Sequence, residues 1–201
     1  MQTQRTALVI GANGGIGQET CAALLRRGWR VRALVRSVPQ AGPDTIDWRI
    51  GDAMQRADVL DAAAGVQVIV HAVNPPGYKA WNQLVLPMVD NTIAAAQANG
   101  ARIVLPGTVY NYGPDAFPLL GEDAPQHPHT RKGEIRVEME RRLQAATQTG
   151  ARVLVLRCGD FFGPRAGNNW FAQGLMQAGK PVTLSANPEE KVDEHSCAYL
   201  P

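Results

Sequence analysis

The sequence predicts an α/β fold in which a parallel β-sheet is doubly wound, with helices on both of its faces. Short β-branched apolar runs alternate along the chain with longer segments of helix-forming residues, which is the pattern of repeated βα units. The strand runs are apolar on successive residues, and this indicates that both faces of the sheet are buried. A glycine ends each helical segment and leads into the next strand.

The elements follow from these patterns in chain order. Apolar runs predict strands over residues 7–10, 31–35, 66–70, 102–105 and 153–156, with a further short strand over 47–50. Helical spacing predicts helices over residues 16–27, 54–64, 81–98 and 133–149. The helix-ending glycines are Gly28, Gly65, Gly100 and Gly150. Residues 106–129 interrupt the rhythm as a long loop rich in Gly, Pro and Asp, and they follow a strand end, where open α/β sheets place their ligands.

Composition favours a small-molecule partner. The 20 basic and 18 acidic residues are scattered and give a net charge of +2, so neither nucleic acid nor a membrane surface is an expected partner. No apolar stretch approaches the roughly 20 residues of a membrane span, and the start of the chain does not resemble a signal peptide. Three widely separated cysteines predict no disulfide framework. We expect a cytoplasmic protein, and we leave a homodimer open.

A glycine-rich turn directly follows the first predicted strand and opens the first helix. In the sequence GANGGIG, the glycines permit a tight turn, close approach of the backbone to a pyrophosphate, and close packing of helix on strand. The helix N-terminus adds free N–H groups and a positive partial charge. This predicts a Rossmann-type dinucleotide site, against the alternative of an empty structural turn. Its candidate residues are Gly11, Asn13, Gly14, Gly15, Ile16 and Gly17.

The end of the second strand favours NADP(H), although NAD(H) stays open. An NAD site usually offers an acid at this position, whereas an arginine suits a 2′-phosphate. The sequence has Val35 followed by Arg36 and no acid, so Arg36 is the predicted 2′-phosphate ligand. Arg32 is less favoured because it is expected to lie on the strand itself. A solvated charge at the strand end is the alternative for Arg36.

Several further motifs, taken in order, resemble the extended branch of the short-chain dehydrogenase/reductase superfamily, which contains NAD(P)-dependent epimerases, dehydratases and reductases. After GANGGIG come Gly51-Asp52, then VIVHAV, then Asn91-Thr92, and finally RCGDFFGP at residues 157–164. The resemblance implies that Asp52 binds the adenine amino group and that residues 157–164 lie beside nicotinamide and substrate. The other cofactor contacts that it implies are Ala53, His71, Ala72, Val73 and Asn91. The weaker substrate candidates are Asn74, Asp160 and Phe161.

The catalytic residues depart from that family. The family uses a Ser or Thr to polarise the substrate oxygen, a Tyr to transfer the proton, and a Lys four residues later. Thr108 fits the first position, but the matched positions of Tyr and Lys hold Lys132 and Arg136. In one interpretation Tyr110 or Tyr112 replaces the missing phenol, with its pKa lowered by Lys132 or Arg136.

In the other interpretation the protein binds NADP(H) without catalysis, as a redox sensor or regulator, and both tyrosines only pack the loop. The leading hypothesis is an oxidoreductase or epimerase/dehydratase-like enzyme that acts on a small carbonyl or hydroxyl substrate, with sugar nucleotides among the candidates. No metal is expected, because His127 and His129 have no third ligand nearby. We expect the Rossmann domain to span residues 1–178, and residues 179–201 to begin a truncated or reduced C-terminal substrate lobe.

Overall fold

The computed structural model describes residues 4–75, 80–117, 119–162 and 197–199. Six parallel strands form the main sheet: β1 Thr6–Ile10, β2 Arg30–Val35, β3 Ile46–Ile50, β4 Val68–His71, β5 Arg102–Gly107 and β6 Arg152–Arg157. The helices between them are α1 Gly15–Arg26, α2 Arg56–Ala62, α3 Trp81–Asn99 and α4 Arg131–Thr147. All six predicted strands and all four predicted helices are therefore present, with no end shifted by more than two residues.

The strand order is β3-β2-β1-β4-β5-β6, which is the doubly wound arrangement that the sequence predicts. The order reverses between β1 and β4, whose last residues, Ile10 and His71, are paired. The carboxyl ends of these two strands consequently meet at one edge of the sheet. A crevice outside this reversal point is where open α/β sheets bind their ligands.

Both faces of the sheet are buried at its centre, as the continuous apolar runs predict, but at the edge strand β6 the side chains of Leu154 and Leu156 are 43% and 49% exposed. Leu8 and Ile10 belong to an apolar cluster that includes residues of α2, α3 and α4. Val9, on the opposite face of β1, belongs to a second cluster that includes Cys21 of α1. Burial raises the pKa of the Cys21 thiol to about 11. This thiol is therefore a packing group and not a nucleophile at neutral pH.

The helix-ending glycines adopt the conformation that their positions require. Gly28, Gly65, Gly100 and Gly150 have φ values of 73°, 71°, 61° and 90°, in the left-handed region that favours glycine. Each allows the chain to leave its helix and enter the next connection within a few residues. The helices are thus placed on the sheet by short connections.

The chain divides into two compact units, residues 1–157 and residues 158–201. The second unit contains a small parallel pair, β7 Asp160–Phe162 with β8 Cys197–Tyr199. The boundary that the sequence suggests at residue 178 lies outside the described residues. No helix in the described part of the chain has the length and apolar character needed to cross a membrane.

Candidate functional site

The glycine-rich turn lies directly against the end of β4. Gly11 has φ 85°, and a Cβ atom on it would lie 2.6 Å from Cα of Val73. The amide of Gly14 donates to the carbonyl of Gly11 at 3.0 Å and closes the turn. The backbone of Ala72 also donates to Ile10 at 3.0 Å. Three of the candidate cofactor contacts, Gly11, Ala72 and Val73, therefore lie together, and only glycine fits at position 11.

Gly14 and Gly17 have different surroundings. A Cβ on Gly17 would overlap the carbonyl oxygen of Gly11, so Gly17 is needed for α1 to pack against the turn. A Cβ on Gly14 would meet only that same oxygen, at 3.4 Å. The side of the turn at Gly14 is therefore open, and this is the position at which a ligand could approach the backbone.

The N-terminus of α1 is available to an anion. In the described part of the chain no side chain caps this helix, and its first turn carries no acid. The Gln18 side chain instead donates to the carbonyl of Asn13 at 3.1 Å, and so braces the turn. The first amides of the helix, beginning at Gly15 and Ile16, are left as donors with the positive end of the helix dipole. These groups suit a phosphate.

The end of β2 lies beside the same turn. The Asn13 side chain donates to the carbonyl of Ser37 at 3.0 Å, which ties the turn to the residues that follow β2. Arg36 precedes Ser37 and is exposed. Arg32 lies on β2, as expected, and binds Asp47 at 2.9 Å and the carbonyls of residues 62 and 64. Arg36 is thus placed near the turn, while the guanidinium of Arg32 is occupied elsewhere.

The β3–α2 connection is held by α3. Oδ1 of Asp52 accepts from the amide of Met54 at 2.9 Å, and the amide of Asp52 donates to Asp58 at 2.8 Å. The Asn91 side chain donates to the carbonyl of Ala53 at 2.9 Å. Asn91, expected to contact a cofactor, therefore has its amide nitrogen bound to protein and positions the loop that contains Asp52 and Ala53.

His71 is buried at the end of β4 and is neutral. Its Nδ1 lies 2.8 Å from Oγ1 of Thr92, and the Thr92 hydroxyl donates to the carbonyl of Met88 at 3.1 Å. Nδ1 must therefore carry the proton and donate to Thr92. Burial, together with the smaller effect of the positive charge of Arg136, lowers the pKa of His71 to about 3. His71 supports the strand end as a neutral hydrogen-bond donor.

The structure separates the two loop tyrosines. Tyr112 is only 9% exposed, and its ring lies 5.1 Å from the guanidinium of Arg157. The cation that the structure places against the Tyr112 ring is Arg157, while an action of Lys132 or Arg136 on this phenol stays a prediction. Tyr110 is 38% exposed. Its backbone amide donates a long hydrogen bond of 3.4 Å to Oγ1 of Thr108.

The start of α4 packs against the tyrosine loop. Thr130 caps the helix by accepting from the amide of Gly133 at 3.1 Å. A Cβ on Gly133 would overlap the carbonyl oxygen of Tyr110, so the helix begins against this residue. Lys132 is exposed in the first turn of α4. It directly precedes Gly133, the residue that lies against Tyr110.

A polar network that the sequence did not predict joins the loop to α4 and β6. Arg157 donates to both carboxylate oxygens of Glu140, at 2.5 and 2.8 Å, and to the carbonyl of Thr108 at 2.8 Å. Gln126 donates to Glu140 at 3.0 Å and accepts from the fully buried Asn111 at 2.9 Å. The network therefore holds both ends of the long loop and the backbone of Thr108.

Arg136 lies on the next turn of α4 and packs against α3. Its guanidinium is 4.9 Å from the centre of the Trp81 ring.

Of the substrate candidates, Asn74 is exposed just after β4, whereas Asp160 and Phe161 belong to β7 of the second unit. Their roles stay predictions. His127 forms an exposed hydrogen bond with Asp115 at 2.8 Å, and no cluster of metal ligands occurs among the described residues.

Comparisons with known proteins identify the family and several relatives of this chain. A model of the NAD dependent epimerase/dehydratase family matches residues 7–185. The chain is 34% identical over 180 residues to 3-diazoavenalumate denitrifying reductase of a Streptomyces species, covering 80% of this chain and 57% of that protein. It is 32% identical over 173 residues to 2-alkyl-3-oxoalkanoate reductase of Stenotrophomonas maltophilia strain K279a, covering 78% and 51%. The chain thus spans about half the length of these relatives.

A solved structure shows the same fold at lower identity. The UDP-N-acetylglucosamine 4-epimerase from Bacillus cereus superposes with a TM-score of 0.71 at 18% identity, over 81% of this chain and 56% of that chain. This likeness supports the doubly wound arrangement of the sheet. It carries no information about the substrate of this chain.

The neutral state of buried His71 predicts a pH-dependent stability. In the unfolded chain the pKa of histidine is about 6.5, so below this pH the unfolded state binds a proton that the folded state excludes. The free energy of unfolding should therefore fall as pH falls, with His71 contributing a slope of up to about 1.4 kcal/mol per pH unit. Above about pH 6.5 its contribution should be constant.

Urea unfolding of the parent and of His71→Asn between about pH 7 and pH 5 measures this slope. In the variant, the slope of the unfolding free energy against pH should be smaller by the part that His71 contributes, whatever the stability of the variant at neutral pH. The same slope in both proteins would contradict a buried neutral His71.

The Glu140–Arg157 pair predicts a second stability effect. The two side chains are only 11% and 27% exposed, so Glu140→Gln should leave a half-buried guanidinium poorly compensated. We expect a loss of about 2 kcal/mol in the free energy of unfolding, between the values for surface and buried pairs. Glu138→Gln is the matched control on α4, because its partners Arg141 and Arg142 form helix-surface pairs. The Glu138→Gln variant should lose less than about 1 kcal/mol of unfolding free energy. Equal losses for the two variants in chemical denaturation would contradict this prediction.

Proposed function

The chain belongs to the NAD-dependent epimerase/dehydratase family, and on this basis we propose that it binds NADP(H) and acts as an oxidoreductase on a small substrate with a carbonyl or hydroxyl group. The observation that carries the proposal is the uncapped start of α1 beside the open side of Gly14. This arrangement suits a pyrophosphate. The reductase names of the two curated relatives support reduction as the direction of the chemistry.

The residues of the turn and of β2 would hold the adenosine half of the cofactor. Amides at the start of α1 would bind the pyrophosphate, and Asp52 would accept from the adenine amino group through the oxygen not used by Met54. Arg36 would bind a 2′-phosphate by a charge-assisted, bidentate contact. The Asn13–Ser37 hydrogen bond would keep Arg36 beside the turn.

Residues at the ends of β4, β5 and α4 would serve the reacting half. When bound, the nicotinamide ring supplies or accepts a hydride. Thr108 would polarise the substrate oxygen, and the Arg157 contact to its carbonyl would keep it in place. Arg136 would bind the nicotinamide ribose. Tyr110 is the better candidate than Tyr112 for the proton donor, because it is more exposed and lies against the start of α4.

Turnover of NADPH on a panel of carbonyl compounds and sugar nucleotides tests the proposed activity. Tyr110→Phe should lower the rate by about 10²–10⁴ while leaving cofactor affinity nearly unchanged, the range for a positioned acid or base. Tyr112→Phe should have a much smaller effect, because this ring is packed against Arg157. Tight binding of NADPH without turnover on any substrate would favour a redox sensor over an enzyme.

Gly14→Val tests the phosphate site itself. The added side chain would project into the open side of the turn, so the variant should fold normally and lose dinucleotide binding in calorimetry. Gly17→Ala is the matched comparison, since its Cβ would overlap the Gly11 carbonyl. That change should lower the stability of the fold. Retained binding in Gly14→Val would show that the turn is only structural.

Arg36→Ala tests the preference for NADP(H). Loss of a charge-assisted contact should weaken NADPH binding by roughly 1.5–3 kcal/mol and leave NADH binding almost unchanged. Arg30, exposed at the opposite end of β2, provides the control, and Arg30→Ala should affect neither cofactor. Equal weakening of NADPH and NADH by Arg36→Ala would overturn the preference.

A further inference from the structure

An open cleft lies at the end of α1 that is opposite the glycine-rich turn. It has a volume of about 710 Å³, which is in the range of small-molecule sites. Helix α1 has 12 residues, so the turn and the cleft lie at opposite ends of a helix about 18 Å long. The residues that line the cleft are Arg5, Thr20, Ala23, Leu24, Arg26, Arg27 and Trp29.

The cleft is strongly basic. Arg5, Arg26 and Arg27 line it, and no acidic residue does. Arg26 and Arg27 are exposed, and neither forms an ion pair within the described residues. Elsewhere in the part of the chain that the structure describes, carboxylates bind the guanidinium groups of Arg32, Arg49, Arg141, Arg142 and Arg157. The positive charge of the cleft therefore lacks the compensation that these other arginines have.

The end of α1 does not need these guanidinium groups as hydrogen-bond donors. The carbonyls of residues 23–25 accept from the backbone amides of residues 27–29, so the main chain itself closes the last turn. A cation in the last turn also suits the negative end of the helix dipole. That interaction does not account for Arg5, which precedes β1 and reaches the cleft from a separate segment.

Trp29 gives the cleft an aromatic wall. Its half-buried ring has its centre 4.6 Å from the guanidinium carbon of Arg5, within the range of a cation–π interaction. This stack orders both side chains at one side of the cleft. Ala23 and Leu24 of α1 add apolar lining. The cleft thus combines an apolar, aromatic part with a group of arginines.

We propose that this cleft binds a small organic phosphate, with the phosphate at Arg26 and Arg27 and an aromatic group beside Trp29. Guanidinium groups bind phosphate oxygens through bidentate, charge-assisted hydrogen bonds. A phosphate monoester carries about two negative charges at neutral pH, which two arginines offset. The proposal goes beyond the proposed function and does not depend on a dinucleotide in the turn.

The lining of the cleft favours a small molecule over a nucleic acid strand. Sites for single strands combine a long basic groove with several aromatic side chains on which successive bases stack. Here Trp29 is the one aromatic residue in the lining. An oligonucleotide is therefore the comparison ligand and not the expected one.

Calorimetry with 1-naphthyl phosphate on the full chain tests the site, and 1-naphthol and inorganic phosphate serve as partial probes. Naphthyl phosphate should bind at least about 10-fold more tightly than either, because only this probe fills both parts of the cleft. Arg26→Gln and Arg27→Gln should each weaken it by about 10-fold or more, the effect of losing a hydrogen bond to a charged group. Trp29→Leu should weaken it by about 2- to 10-fold and leave inorganic phosphate unchanged.

Two control variants locate the bound probe. Arg56→Gln removes the same charge from the exposed start of α2, outside the cleft, and should leave the affinity for naphthyl phosphate unchanged. Gly14→Val alters the glycine-rich turn at the other end of α1 and should also leave it unchanged. Thermal unfolding of Arg26→Gln and Arg27→Gln should match that of the parent, because both side chains are exposed.

Four outcomes would overturn the proposal. The first is that naphthyl phosphate does not bind the parent. The second is equal weakening by Arg56→Gln and Arg26→Gln, which would show a general effect of charge. The third is loss of binding in Gly14→Val with none in Arg26→Gln, which would place the probe in the turn. The fourth is a single-stranded oligonucleotide that binds more tightly than naphthyl phosphate through the same arginines, which would exclude a small molecule as the main ligand.

Discussion

The close approach of backbone to backbone at the start of α1 is the constraint on which the rest of the site depends. Gly11 lies against Val73, and Gly17 lies against the Gly11 carbonyl, in both cases closer than any side chain would allow. These contacts place the positive end of α1 at the point where the strand order reverses. The ends of β1 and β4 and the N-terminus of α1 are thereby joined in one arrangement.

Around this arrangement, polar side chains hold backbone groups of the connecting loops. Asn13 binds the segment after β2, Asn91 binds the β3–α2 loop, and Arg157 binds the backbone of Thr108. Loops at a ligand edge have few backbone partners of their own, so such side-chain contacts determine their conformation. The site is therefore preorganised largely by residues that need not touch a ligand.

Local sequence signals were sufficient for the fold. Helix-ending glycines such as Gly100 and Gly150, and the apolar strand runs, depend only on neighbouring residues. The sequence also marked Asn91 as a candidate site residue, but it did not predict that the Asn91 side chain donates to the carbonyl of Ala53 in a distant loop. The Glu140–Arg157 pair could not be found in this way, because it depends on how α4 packs beside β6. The same limit applied to Tyr112, whose cation partner comes from another element.

Adjacent residues of α3 support opposite halves of the site. Asn91 holds the β3–α2 loop, and Thr92 receives the hydrogen bond of His71 at the end of β4. A small rotation of this helix would therefore disturb both halves together. For protein engineering, this means that the β3–α2 loop and the end of β4 are not independent modules. A loop transplanted from a relative would have to bring a partner for position 91 without displacing position 92.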